Sequence, residues 1–393
     1  MYPYTLIQLG MHSDPSLGGV DRYFWGLDQG FDQENIKTRR YFFDKGNAQH
    51  SDVALGSADL PLHKRLVLLR RGVLEAPDYD PGRSVLASHF ALYALPVVHS
   101  HPRLTHVVHF HGPWAQESAL RKQNRAYVFA KKAVERLVYR NADAFITLSN
   151  AFRDLLISNY GIAPQKVHVI PGAVDLSQFC PADRMCARDL LKWPQKGCII
   201  FCIRRLVERM GLQELITAFS TIASTYSQVS LYIGGKGPLE GALRAQIRAL
   251  GLDARVRVLG FVRDSLLPTC YQAANISIVP SQSLEGFGLA AVESLACGTP
   301  VLVTPVGGLK ELIGPLAPSC VLAGTSAHQI AESLNSYLRG ALPVPIAAEC
   351  VGYVKEHYVW EKVAKKVLAI YDEAFRAKHA LSRRVPEPSQ IAA

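Results

Sequence analysis

Two carboxylates, Glu285 and Glu293, stand with seven residues between them, and a glycine loop, Gly286-Phe287-Gly288, follows the first. Carboxylates do not hold phosphate; they accept hydrogen bonds from hydroxyls. A glycine loop that opens a helix does the complementary work, because its unpaired backbone N–H groups and the positive helix end attract an anion, most often a phosphate. A diphosphate seat beside two hydroxyl acceptors is what a nucleotide sugar requires. The plainer alternative is an ordinary α/β unit whose glutamates are merely solvated.

The elements that must position these groups are legible on both sides. Ile276–Pro280 is a short apolar strand, a helix starts near Leu289, and Gly298-Thr299-Pro300 breaks it before the apolar strand Val301–Val303 and a second glycine turn, Gly307-Gly308. The whole string, PSQSLEGFGLAAVESLACGTPVLVTPVGGLKELI over residues 280–313, closely resembles the signature of the retaining glycosyltransferases of family 4, whose fold is GT-B. The resemblance implies an α/β protein of two doubly wound, Rossmann-like domains facing each other across a cleft.

Other stretches carry the same resemblance. Gly18-Gly19 before Val20-Asp21-Arg22 resembles the family's N-terminal glycine loop, which closes against the donor phosphates and the acceptor. By itself a Gly-Gly pair is only a turn. Thr105–Phe110 is an apolar strand leading into His109-Phe110-His111-Gly112, and a side chain at the carboxyl end of a parallel strand faces the crevice where α/β sheets bind ligands. His111 matches the family histidine that contacts the donor sugar. His109, on the same strand face, is expected to be packed and satisfied, with Glu117 ordering the loop beyond. Cys198–Ile203 is a strand followed by Arg204-Arg205-Leu206-Val207-Glu208-Arg209-Met210. The family pattern of arginine, then lysine five residues later, is met by Arg205 but not by Met210. The second positive charge then comes from Arg209 or Arg204, or Arg205 suffices with the helix end. Gly234-Gly235 resembles the glycine pair near the nucleotide, and the backbone of Phe261-Val262 matches the segment that faces the base.

The resemblance therefore implies a hexosyltransferase-type enzyme. It would move a sugar from a UDP- or GDP-sugar to an acceptor hydroxyl with retention, in the synthesis of a glycan, polysaccharide or glycolipid. Glu285, with Gly286, Phe287, Gly288 and Leu289, would hold the sugar and diphosphate, Glu293 the ribose, and Arg205 and Arg209 the phosphates. No cofactor and no divalent metal are expected. Alternatives are another GT-B enzyme (a sugar phosphorylase or a nucleotide-sugar epimerase) or a catalytically silent nucleotide-sugar-binding subunit. Asp78-Tyr79-Asp80 has the form of a metal-binding D-x-D, but it lies between Pro77 and Pro81 with no strand or glycine loop behind it, and reads as a solvated turn.

Composition sets the outer limits. At 393 residues the chain exceeds what one core usually supports. With 49% hydrophobic and 19% charged residues it reads as globular, and no apolar run is long enough to span a membrane. The start, MYPYTLIQLG, lacks the pattern of a secretory leader. The eight cysteines all fall at or after Cys180 without a C-x-x-C pair, which fits reduced core thiols in a cytoplasm. Expected domains are 1–178, completed by a C-terminal helix over 361–377, and 179–360, with 378–393 a disordered tail. Residues 44–82 read as irregular and 176–196 as a linker.

The net charge of +10 is uneven. Residues 118–140 read as one helix, on which Arg121, Arg125, Lys132 and Arg136 share a flank. No nucleic-acid module accompanies this charge. An anionic membrane surface is the expected partner, beside a nucleotide sugar and a carbohydrate or lipid-linked acceptor.

Overall fold

The computed structural model describes residues 2–12, 18–32, 34–44 and 54–382. It divides into two compact units: residues up to Pro171 with those from Trp360 on, and Gly172–Val359.

In the first unit the elements run β1 (Thr5–His12), α1 (Gly19–Asp32), β2 (Thr38–Asp44), β3 (Ala54–Ser57), α2 (Leu62–Leu74), β4 (Ser84–Ser88) and α3 (Ala91–Val98). Then follow β5 (Thr105–Phe110), α4 (Trp114–Leu120), α5 (Arg125–Arg140), β6 (Ala144–Thr147), α6 (Asn150–Tyr160) and β7 (Val167–Val169). The seven strands form one parallel sheet in the order β3-β2-β1-β4-β5-β6-β7. Strands β4 and β5 are buried along their whole length, as continuous apolar runs in a parallel sheet must be. The chain direction across the sheet reverses at β1/β4, so the crevice of this unit opens outside the carboxyl ends of those strands.

The second unit holds α7 (Arg184–Leu191), β8 (Cys198–Ile203), α8 (Leu212–Ala223), β9 (Val229–Gly234), α9 (Glu240–Ala249), β10 (Val256–Gly260) and α10 (Leu267–Ala273). It continues with β11 (Ile276–Val279), α11 (Leu289–Ala296), β12 (Val301–Val303), α12 (Gly308–Ile313), α13 (Ala327–Leu338) and α14 (Ala347–His357). Its parallel sheet has the order β10-β9-β8-β11-β12, and the reversal falls at β8/β11.

The last helix, α15 (Trp360–Ser382), belongs to the first unit and packs on α1. Its buried positions Val363, Ala364, Val367, Leu368, Tyr371 and Ala374 recur at helical spacing. Where a tail was expected from 378, the helix continues to Ser382, because Lys378 is anchored: its Nζ donates to Asp143 Oδ2 and to Leu104 O, each at 2.8 Å. Residues 383–393 lie outside the described part.

Three further expectations are corrected. Residues 44–82 contain β3 and α2, whose Leu69 and Val73 are buried. The supposed linker contains α7, capped by Asp183 and tied down by Arg188, which donates to Ala273 O, Gln195 O and Asn275 Oδ1. Residues 118–140 are two helices, not one. Lys122 adopts a left-handed backbone (φ 54°), and Asn124 caps α5 by accepting from Ala126 N.

Candidate active site

In the first unit, histidines stand just past the ends of neighbouring strands. His89 follows β4, while His109 lies near the end of β5 and His111 just beyond it. Their rings stack: His89 and His109 have centroids 4.3 Å apart at 18°, and His89 and His111 are 5.4 Å apart at 19°. His109 is fully engaged, Nδ1 with the Tyr23 hydroxyl at 3.2 Å and Nε2 with the Tyr371 hydroxyl at 2.6 Å. His111 is half-buried, and its Nε2 lies 3.1 Å from His89 Nδ1.

Burial disfavours the charged imidazolium. It lowers the His111 pKa to about 3 and pushes His89 and His109 well below the usual histidine range, each further opposed by its neighbours' partial charge. Tyr23 and Tyr371, buried, are held as neutral phenols. The histidine cluster of this crevice is thus polar but uncharged.

Gly19 opens α1, with Gly18 just before it accepting from Arg22 N at 3.0 Å. Asp21, in the first turn, accepts from His12 N at 3.1 Å and lies 3.2 Å from His12 Nδ1, which fixes the end of β1 against the helix start. A carboxylate the sequence did not single out, Glu135, holds the loop after His111: its Oε1 accepts from Trp114 N at 2.7 Å and its Oε2 from the Tyr160 hydroxyl at 2.8 Å. Glu117, half-buried, lies beside Gly112 and 3.9 Å from Arg121.

In the second unit the crevice at β8/β11 is built from charge. Arg204, just past β8, pairs through Nη2 with Glu285 Oε2 in the loop after β11. The same nitrogen donates to Ser281 Oγ at 2.9 Å and contacts Met210 Sδ at 2.9 Å, while Ser281 Oγ donates to Glu285 Oε2 at 2.8 Å. The guanidinium thus lies where the tip of a side chain at position 210 ends. Arg205, one residue on, is exposed, and Arg209 Nη1 donates to Leu284 O at 3.0 Å, bracing the Glu285 loop.

Backbone geometry holds this loop tightly. Gly307 has φ +54°, and a Cβ there would lie 2.0 Å from Glu285 O, so only glycine allows the approach that lets Gly308 N donate to that oxygen at 3.0 Å. Across the crevice a Cβ on Gly235 would lie 1.8 Å from Arg204 O. Val262 is half-buried next to Gly234, and Phe287 is buried with its ring 5.6 Å from that of Tyr358. Gly288, with φ +104°, caps α11, which begins at Leu289 with Gly286 two residues ahead of the cap. Glu293, in the second turn of α11, is 1% exposed and accepts from the Tyr271 hydroxyl at 3.0 Å.

The structure therefore groups Glu285, Gly286, Phe287, Gly288, Leu289 and Glu293 on one loop and helix, with Arg205, Arg209, Gly235 and Val262 beside them in the second unit. Gly18, Gly19 and His111 belong to the first. Sequence reasoning missed Arg204 as the partner of Glu285, which needs the pairing of β8 with β11 to be seen. It also missed His89, for which a signal existed: a histidine directly after a short strand with an apolar centre, Ser84–Ser88. Asp78 pairs with Lys37 and Arg39, and Asp80 caps the turn Pro81–Arg83 by accepting from Gly82 N at 2.8 Å, so both aspartates are occupied structurally. Among the described residues no group of three or more His, Cys, Asp or Glu is placed to hold a metal ion. No helix among them is long and apolar enough to cross a membrane.

Comparison with known proteins agrees with this architecture. Residues 187–373 match the model of glycosyl transferases group 1, and residues 17–178 that of glycosyltransferase family 4. D-inositol 3-phosphate glycosyltransferase of Mycobacterium avium is 30% identical over 341 residues, 82% of this chain and 77% of that enzyme. Mannosylfructose-phosphate synthase of Agrobacterium fabrum is 32% identical over 190 residues, 46% of this chain and 41% of that one. Among solved structures, sucrose-phosphate synthase from Thermosynechococcus elongatus superposes with a TM-score of 0.78 at 21% identity, covering 95% of this chain and 100% of that one. HepE of Anabaena in complex with UDP-glucose gives 0.76 at 19%, covering 94% and 99%. With both halves of the chain matched and one relative aligned over most of its length, this protein belongs to the family 4 glycosyltransferases of GT-B fold.

Proposed function

We propose that the enzyme transfers a hexosyl group from a nucleoside-diphosphate sugar to an acceptor hydroxyl, with retention at the anomeric carbon. The observation that carries this reading is the Arg204–Glu285 pair at the β8/β11 reversal, beside the glycine start of α11: cations, a carboxylate and helix N–H groups meet where an α/β sheet binds its ligand. A UDP-sugar donor is favoured, since the HepE structure of the same fold holds UDP-glucose.

In this reading Arg205, Arg209 and the N–H groups at the start of α11 bear the charge that develops on the leaving diphosphate. Glu285, oriented by its pairing with Arg204, accepts hydrogen bonds from sugar hydroxyls. To His111 we assign a further sugar oxygen. Glu293 accepts the ribose hydroxyls in place of the Tyr271 hydroxyl. The bond from the anomeric carbon to the diphosphate oxygen breaks and one to the acceptor oxygen forms on the same face, while the acceptor proton passes to the leaving phosphate. No enzymic nucleophile is assigned, and turnover is expected to survive EDTA.

The test separates sugar from nucleotide. Glu285→Ala and His111→Ala are expected to lower kcat on the donor by about a hundredfold while changing UDP affinity, by calorimetry, less than threefold. Equal losses for UDP and for turnover would remove both residues from the sugar. Release of free sugar 1-phosphate that depends on added phosphate would make the protein a phosphorylase instead.

A further inference from the structure

His89 has no task in the chemistry above, yet it is the residue against which His111 is set. Its ring is 4% exposed, stacked on His109 and met edge-on by Phe24 at 5.1 Å. Its Nδ1 faces His111 Nε2, and its own Nε2 is buried without a hydrogen-bond partner. That orphan decides the direction of the bond.

Both rings are neutral, so each carries one proton and one bare nitrogen. If His111 donated from Nε2, His89 would keep its proton on Nε2, a buried N–H with nothing to receive it. Orphaned buried N–H groups are the rarer and costlier fault, whereas an under-satisfied acceptor is better tolerated. The arrangement that avoids the orphan donor has His89 donating from Nδ1 to His111 Nε2. His111 then carries its proton on Nδ1, the nitrogen that makes no hydrogen bond among the described residues.

We propose that His89 is a positioning residue: it fixes His111 as the Nδ1–H tautomer and holds its ring in the plane of the histidine stack. His111 thereby presents a hydrogen-bond donor, and not an acceptor, to an oxygen of its ligand. That ligand is the sugar of the donor only insofar as the function proposed above holds; the tautomer itself does not depend on that reading.

The experiment uses the full chain with 15N-labelled histidine. NMR reads the protonation of each imidazole nitrogen directly, with the His111 signals assigned by their absence in His111→Asn. In the wild type, Nδ1 of His111 is expected at the shift of a protonated nitrogen and Nε2 at that of a bare one; the reverse overturns the proposal without need of any variant at position 89. His89→Asn, whose amide can donate from near the same place, should keep that tautomer and kcat within about threefold. His89→Phe, which keeps the stack but removes the donor, should turn His111 into a tautomer mixture. It should lower kcat by about tenfold, the loss of one oriented hydrogen bond, with UDP affinity unchanged. A His111 spectrum unaltered by His89→Phe overturns the proposal. A tautomer change without loss of turnover supports the role of His89 and removes His111 from the sugar.

Discussion

The two crevices of this protein have the same topology and opposite chemistry. In the first unit, the carboxyl ends around β1/β4 and β5 carry stacked imidazoles and phenols that burial keeps neutral. In the second, the ends of β8 and β11 carry a guanidinium and a carboxylate, 8% and 12% exposed, that pair with each other. A doubly wound sheet dictates where a ligand goes and leaves its polarity to a few side chains. The neutral pocket suits hydroxyls, which need donors and acceptors without net charge. The ionic one suits a ligand that brings its own charge. Under the proposed function the second crevice takes the diphosphate end of a donor.

The sharpest way to break the comparison is to remove the charge from the second crevice. Arg204→Ala leaves Glu285 with a largely buried carboxylate and no counter-ion, and should cost about 3 kcal/mol of stability, read by denaturant unfolding, with a loss of turnover of at least about a hundredfold. Because Arg204 Nη2 touches Met210 Sδ, a lysine at 210 would bring its ammonium to the same place. Met210→Lys alone should therefore destabilise, by crowding two cations. Combined with Arg204→Ala it should restore much of both stability and turnover. Additive damage in the double variant would show that the positive charge cannot be moved between these positions.

This pair also shows what the sequence could and could not disclose. Buried strand runs announced β5, β8 and β12 at their observed bounds, since a strand buried on both faces leaves little room for an alternating pattern. The Glu285 loop and the glycines that hold it were equally plain. Arg204 and Glu285, by contrast, meet only because β8 pairs with β11, and the intervening chain supplies no local sign of it. α2 escaped because its buried Leu69 and Val73 sit among arginines, and the break between α4 and α5 because lysine at 122 is not a residue that announces a left-handed turn.

A smaller effect is expected from Glu293→Gln. The loss of a charged acceptor for ribose hydroxyls should weaken UDP binding by about 1–3 kcal/mol, with the Tyr271 contact retained by the amide oxygen and the fold unchanged. Unaltered UDP affinity by calorimetry would leave Glu293 a purely internal partner of Tyr271.

The neutrality of the first crevice has its own signature in pH. The folded pKa of His111, about 3, lies below the unfolded value near 6.5, and His89 and His109 are shifted the same way. Between those values the unfolded chain binds protons that the folded one refuses, so stability is full above pH 6.5 and declines as pH falls toward 3. Hydrogen exchange should therefore show amides of β4 and β5 opening progressively below pH 6.5. His89→Phe should flatten that slope by removing one of the titrating groups. A slope unchanged in that variant would mean that His89 does not contribute to it.

The smallest effect on catalysis is expected from the basic flank of the first unit, far in character from either crevice. Arg121 ends α4 and so leaves the flank first read for it; on α5 the residues that recur at helical spacing are Arg125, Phe129, Lys132, Arg136 and Arg140. Phe129 is 73% exposed, with Tyr127 and Leu137 also exposed, while Lys131 is turned inward to Ser118 and Gln123. Basic side chains flanking an exposed aromatic ring match an anionic leaflet, where each cation contributes about 1 kcal/mol at low salt. We propose that this face of α5 docks reversibly on anionic membrane. Changing Arg125, Lys132, Arg136 and Arg140 to Ser should abolish co-sedimentation with anionic vesicles and leave kcat on a water-soluble acceptor within about twofold, because surface changes away from the site cost little. Changing Phe129 to Ser should weaken binding to the same vesicles at high salt, where the charge contribution is screened and apolar insertion remains. Equal binding of the wild type to neutral and anionic vesicles would mean that the flank is solvated and nothing more.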